Sequence, residues 1–213
     1  MAYAPAFERQ RQVWQEVLEA REAGEPLAGV VLLVEHDPVV TITPRPGVAE
    51  HLLADRASLA RLGVEVAETD RGGDITYHGP GQLVVYPIID IQRLGWNLHR
   101  YMRELEQVVI DSCATWGVHG ERDTGATGVW VGPAPSAKIC ALGVRIRRWI
   151  TMHGLALNVT TNLAHFDLIV PCGLAGRPVT SLRKLLGAQC PSMDQVKREV
   201  TARLAAATGL SSA

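Results

Sequence analysis

The sequence predicts an α/β protein of the α+β type, with a mixed β-sheet flanked by helices. Two observations predict it. Several segments carry apolar residues at helical spacing, and three strand-like runs follow one another with only short turns between them. Strands in direct succession, set apart from the helices, do not build a doubly wound parallel sheet. Residues 7–24 read as an amphipathic helix with Phe7, Val13, Val17 and Leu18 inward and Gly24 as its stop. GVVLLVEH (29–36) is a buried strand, and 49–63 a helix ended by Gly63. LVVYPIIDI (83–91) is a strand whose Pro87 predicts an edge position or an irregularity. Residues 97–117 form a long helix with Asn97 as N-cap and Leu98, Met102, Leu105 and Val109 inward. The successive strand runs are TGVWVG, ICALGVRI and ITMHGLALNV. The last helix, 192–210, opens on a capping box of Ser192 and Gln195 and carries a Val196/Val200/Leu204 stripe before Gly209.

With 213 residues and no repeat or low-complexity linker, the chain is expected to be a single domain, residues 1–213. Hydrophobic residues make up 47% and charged residues 20%, enough for a real core. A net charge of −1 gives no global argument for nucleic acid as a partner. The longest apolar runs are too short to span a bilayer, and the N-terminus has no secretory pattern. Cys113, Cys140, Cys172 and Cys190 lie 27, 32 and 18 positions apart with no CxxC pair. That fits neither a zinc site nor a dense disulfide framework, and it predicts a reducing cytoplasm. Only three of the 21 basic residues are lysines, so each is worth locating. Lys138 alone enters an apolar strand.

The stretch RGGDITYHGPGQ (71–82) sets four glycines, a proline, an arginine, an aspartate and a histidine just before a buried strand. Such backbone freedom suits a ligand-lining loop, and equally an ordinary tight turn. It lacks the GK[ST] ending of a P-loop and is not GxGxxG, and the chain has no GxSxG or HExxH. Cys172 lies between Pro171 and Gly173 at an expected strand-to-loop junction. Read alone it is either a small buried hydrophobe or a thiol presented at a cleft. Cys140, inside a strand, reads as structural. Lys138 reads as a snorkelling strand-end lysine or as the positive neighbour a thiolate needs, and His78 and His153 have similar double readings. A cysteine, a lysine and glycine-rich backbone together make a coherent set for acyl transfer.

Over nearly its whole length, in LLVEHDPVVT, RGGDITYHGPGQLVVYPI, TGVWV, KICALGV, MHGLALNV and IVPCG followed by TSL, the sequence resembles the octanoyl-[acyl-carrier-protein]:protein N-octanoyltransferases of lipoate biosynthesis. The resemblance implies the mixed-sheet fold of lipoate–protein and biotin–protein ligase catalytic domains. It implies transfer of an octanoyl or lipoyl group from acyl carrier protein to a lysine of lipoyl domains, through a cysteine thioester. Acceptors would be the lipoyl domains of 2-oxoacid dehydrogenase complexes and the glycine cleavage H protein.

It further implies Cys172 as the thioester cysteine and Lys138 as its activating lysine. Substrate contacts fall on Arg71, Gly72, Gly73, Asp74, Ile75, Thr76, Tyr77 and His78, on Ala141, Leu142 and Gly143, and on Gly154, Leu155 and Ala156, with His153 and Gly79 in support. No ATP, metal, nucleic acid or membrane is expected to take part. TITPRPG (41–47) departs from what relatives often carry there. Two rival classes are an ATP-dependent ligase on the same fold, which the PCG motif opposes, and a silent carrier-binding protein, which the Cys172/Lys138 pair opposes. Arg145 and Arg147 share one strand face with Arg148 beside them, either a solvated face or a basic patch that steers acidic carrier domains.

Overall fold

The computed structural model describes residues 1–134, 136–170 and 176–210. Its elements in order are α1 (Tyr3–Glu22), β1 (Gly29–Val34), β2 (Val39–Ile42), α2 (Arg56–Leu62), β3 (Glu65–Glu68), β4 (Ile75–His78), β5 (Gln82–Ile89), α3 (Leu98–Ala114), β6 (Gly120–Arg122), β7 (Val129–Val131), β8 (Ala137–Arg147), β9 (Ile150–Asn158), α4 (Leu182–Leu186) and α5 (Met193–Thr208). Six strands form an antiparallel sheet in the order β1-β5-β9-β8-β7-β6. A second sheet, β3-β2-β4, pairs β2 with β3 in parallel and with β4 antiparallel, so the parallel pairing resides there.

Alternation along β5 decides what covers each face of the large sheet. Leu83, Val85 and Ile89 join a core with Tyr101, Leu105 and Val109 of α3 and Val196, Val200 and Leu204 of α5. Val84, Tyr86 and Ile88 join Val13, Val17 and Leu18 of α1 on the other face. This is the helix-flanked α+β arrangement the sequence predicted. The predicted capping box is present, with both Ser192 and Gln195 bonding reciprocally.

One local prediction is corrected, and at two positions the structure decides between alternatives. The segment 49–63 is not one helix: a 3₁₀ turn covers Val48–His51, and the Asp55 side chain caps a separate α2 by accepting from the Ser58 N–H. A mid-segment aspartate competes for backbone donors and restarts the helix. Pro87 is not on an edge, because β5 lies between β1 and β9. It marks an irregularity instead: the β5–β9 ladder stops at Val85–Leu155, and the Thr151 hydroxyl takes over, donating to the Pro87 carbonyl at 2.6 Å and accepting from the Ile89 N–H at 2.9 Å. Finally, a third of the glycine-rich stretch is strand β4. Its GPG portion is a tight turn in which Gly79 O accepts from Gln82 N–H at 3.1 Å, Pro80 leads, and Gly81 takes φ of 80°. That is type II turn chemistry, and it carries the chain from the small sheet into the large one.

Candidate active site

Lys138 stands near the start of β8, paired in register with Trp130 of β7. Its backbone is fixed from both sides: its N–H donates to Pro178 O at 2.9 Å, and its carbonyl accepts from Thr180 N–H at 2.9 Å. The side chain runs over Gly128, where an added Cβ would lie 3.2 Å from Lys138 Cε and 2.7 Å from Cys140 O. Gly128, at φ of 132°, therefore lets the lysine stem lie flat. The ammonium ends 4.6 Å from the centre of the Trp130 ring, within cation–π range.

A chain of buried polar groups links Lys138 to the glycine-rich stretch. The Gln82 amide nitrogen donates to Tyr77 O and to Asn158 Oδ1, so its oxygen accepts from His78 Nδ1–H at 2.7 Å. Asn158 Nδ2 donates in turn to Thr180 O, and Thr180 N–H reaches Lys138 O. Burial and the neighbouring His36 push the His78 pKa down to about 3, so the ring is neutral, with Nδ1 protonated and Nε2 as its lone-pair atom.

Lys138 and His78, the two ends of this chain, line a cavity of about 670 Å³. Of the expected contact residues, Arg71, Gly72, Gly73, Thr76, His78, Ala141, Leu142, Gly143, Gly154, Leu155 and Ala156 line it, as does Lys138. Asp74, Ile75 and Tyr77 turn away: Asp74 pairs with Arg45, and Ile75 and Tyr77 enter the core under the small sheet. The two-residue period of β4 accounts for the split of Ile75 and Tyr77 from Thr76 and His78, while Asp74 lies before the strand. Gly79 packs against the Tyr77 side chain rather than on the cavity. Gly143 and Gly154 are neighbours across β8 and β9; a side chain would collide with Gly72 O in the first case and Val85 O in the second.

His153 lines the cavity but does not approach Lys138. It pairs across β9 with Val144, six residues along β8, which places it roughly 20 Å away at ordinary strand rise. Its Nε2–H donates to Asp70 at 2.7 Å, its ring stacks on Phe7, and its backbone holds φ of 58°. Arg145 binds the other Asp70 oxygen, Arg148 pairs with Glu22, and Arg147 lies over Trp14. The basic face is thus partly neutralised within the fold.

Sequence reasoning missed the wall that α3 supplies. Leu98 and Met102 line the cavity together with Glu106. The Glu106 side chain is 2% exposed and accepts from Arg103, Arg122 and the Gly128 N–H. The signal was present, since Glu106 is four residues after Met102 on the apolar stripe of α3. Cys172 lies outside the described residues. The buried thiols of Cys113 and Cys140 are both raised by desolvation, Cys113 to about 12. Among the described residues no group of three or more His, Cys, Asp or Glu could hold a metal ion, and no helix is long and apolar enough to cross a membrane.

His36 behaves like His78. Its Nδ1–H donates to Met1 O, its Nε2 accepts from the Tyr86 hydroxyl, and desolvation lowers its pKa to about 4. Both rings are neutral in the fold and bind protons below about pH 6.5 once unfolded. Their contribution is therefore full above pH 6.5 and is lost as pH falls towards 4 and 3. Each gives a slope of about 1.4 kcal/mol per pH unit, so urea unfolding should show roughly 3 kcal/mol lost between pH 6.5 and 5. His36→Gln should remove about half of that slope. Parallel pH dependences for parent and variant would show that His36 is not held neutral.

The family described as the lipoyl protein ligase A/B catalytic domain matches residues 3–205. An octanoyltransferase of Flavobacterium johnsoniae is 40% identical over 210 residues, covering 95% of this chain and 90% of that protein. An octanoyltransferase of Geobacter metallireducens is 47% identical over 189 residues, covering 89% and 83%. Among solved structures, a bipartite lipoate protein ligase from Thermoplasma acidophilum superimposes with a TM-score of 0.69 at 18% identity, covering 96% of this chain and 80% of that one. A lipoate-protein ligase A bound with ATP gives 0.69 at 17% identity, covering 94% and 80%. These two likenesses carry the fold.

Proposed function

Because this chain belongs to the lipoyl protein ligase A/B catalytic domain family, as an acyltransferase of its octanoyltransferase members, we propose that it moves an octanoyl group from acyl carrier protein to a lipoyl-domain lysine through a thioester on Cys172. The observation that supports it best is Lys138, a cation fixed by its backbone and by Trp130 at the wall of a cavity of about 670 Å³. In the first half-reaction the Cys172 thiolate attacks the donor thioester carbonyl, and the carrier thiolate leaves. Lys138 takes the cysteine proton and returns it to the departing sulfur. In the second, the acceptor amine attacks the octanoyl-cysteine. Its proton passes to Lys138 as the new amide forms, and Cys172 leaves as the thiolate.

The donor is already a thioester, so the exchange is near balance and calls for no ATP. About six methylenes buried against Leu142, Leu155, Met102 and Val84 would contribute roughly 5 kcal/mol at about 0.8 each. The glycines at 72, 73, 143 and 154 let the acyl chain approach backbone directly. Acceptors of this reading are the lipoyl domains of 2-oxoacid dehydrogenase complexes and the glycine cleavage H protein, in the cytoplasm. The test is to mix the protein with octanoyl-acyl carrier protein and a lipoyl domain, with and without ATP, and weigh the acceptor. Octanoylation independent of ATP is expected. Acylation that appears only with free octanoate and ATP would make the protein a ligase instead.

A further inference from the structure

The Trp130 ring carries two cations. Arg177 Cζ lies 3.5 Å from its centre, and Lys138 Nζ lies 4.6 Å from the same point. The ring is 1% exposed, and its Nε1–H donates to Ala126 O at 3.1 Å, so it cannot swing away. Arg177 is fixed as firmly: its Nη2 donates to Asp123 at 2.7 Å and to Ser136 at 3.2 Å. Pro178 and Thr180, just beyond it, make the two backbone bonds that hold Lys138. One short segment therefore fixes both the backbone of Lys138 and the aromatic surface under its ammonium.

We propose that Arg177, acting through Trp130, is a positioning residue that holds Lys138 in its reactive place and eases its loss of a proton. The argument is geometric and electrostatic. A planar guanidinium stacks on an indole face, where an ammonium also seeks the ring electrons. With Arg177 seated there, part of that attraction is already engaged, and a second positive charge stands close to Lys138. Both effects disfavour the charged form of the lysine relative to a site with the arginine removed. A lysine that must alternate between ammonium and amine within one catalytic cycle works best with its pKa brought towards the working pH. Asp123 offsets part of the arginine charge, but it lies on the guanidinium and not on the ring.

This inference rests on Lys138 being the proton carrier of the proposed reaction, so Lys138→Met is assayed beside it. Arg177→Met keeps the aliphatic stem and removes the charge and the stacking plane. Its kcat for octanoyl transfer should fall about tenfold with KM for both protein substrates unchanged, and the acidic limb of the rate–pH profile should move up by about one unit. Arg177→Lys should keep the parent limb and lose part of kcat, since the charge remains and the planar stack does not. Asp123→Asn removes the partial offset of the arginine charge, so its limb should move down rather than up. A role confined to tying the segment together would lower Tm in Arg177→Met and leave the limb unmoved. An Arg177→Met protein with the parent kcat and pH profile overturns the proposal. Undiminished transfer by Lys138→Met would instead overturn the reading beneath it.

Discussion

Cys172→Ala is expected to abolish octanoyl transfer and the covalent adduct that precedes it in the proposed reaction. Mixed with octanoyl-acyl carrier protein in the absence of an acceptor, the parent chain is expected to gain the mass of one octanoyl group, labile to hydroxylamine. The alanine variant should gain none, and its transfer rate should fall by roughly 10⁴-fold or more, the scale of deleting a nucleophile in covalent catalysis. Cys140→Ala should keep the adduct. Two of the other three thiols are poorly suited to the task. Cys140 is fully buried within β8 with its thiol raised by desolvation, and Cys113, on the buried face of α3, is pushed up to about 12. At neutral pH the latter stays protonated. Peptide mapping decides the assignment: an octanoyl group found on Cys113, Cys140 or Cys190 would remove Cys172 from the mechanism.

Much of this arrangement was legible in the sequence because it obeys local rules. The stripes of α1, α3 and α5 repeat at helical spacing, the Ser192/Gln195 box starts α5, and the β8 and β9 runs are long enough to read unaided. The small sheet was not legible. Its strands are four residues long, and Glu65–Glu68 alternates weakly and lies mostly at the surface, so no period can establish itself. Pro87 misled in one of its two readings because its compensation, the Thr151 hydroxyl, comes from 64 residues away. Glu106 was visible as a charge on an apolar stripe, but only the fold brings Gly128 and Arg122 to meet it. Lys138 stood out through scarcity and apolar context. Its aromatic platform, by contrast, depends on the β7–β8 register and on Arg177, which is 39 positions away in sequence.

The same register makes Lys138 the position where the smallest chemical change should cost most. Lys138→Met keeps an unbranched stem over Gly128 and removes the charge. If the ammonium stabilises the Cys172 thiolate, the apparent thiol pKa should rise by about 1–3 units, because the anion loses its cationic neighbour. Each unit corresponds to about 1.4 kcal/mol of lost preference for the thiolate. Two interacting groups titrate together, so that apparent value belongs to the pair. Octanoyl transfer should drop by roughly 10²–10⁴-fold, the range of a lost general acid–base group. Lys138→Arg is expected to keep the sulfur reactive while losing most transfer. Guanidinium is a poor proton acceptor, and its fork must fit where the lysine stem already lies within 3.2 Å of the space beside Gly128. The measurement is iodoacetamide alkylation of Cys172 against pH in the three proteins, set beside their transfer rates. A Lys138→Met alkylation profile that overlays the parent would release Lys138 from activating the sulfur. The role would then pass to His78, whose neutral ring lines the same cavity and whose hydrogen-bonded chain ends on the Lys138 carbonyl. His153, held by Asp70 six strand residues away, would not inherit it.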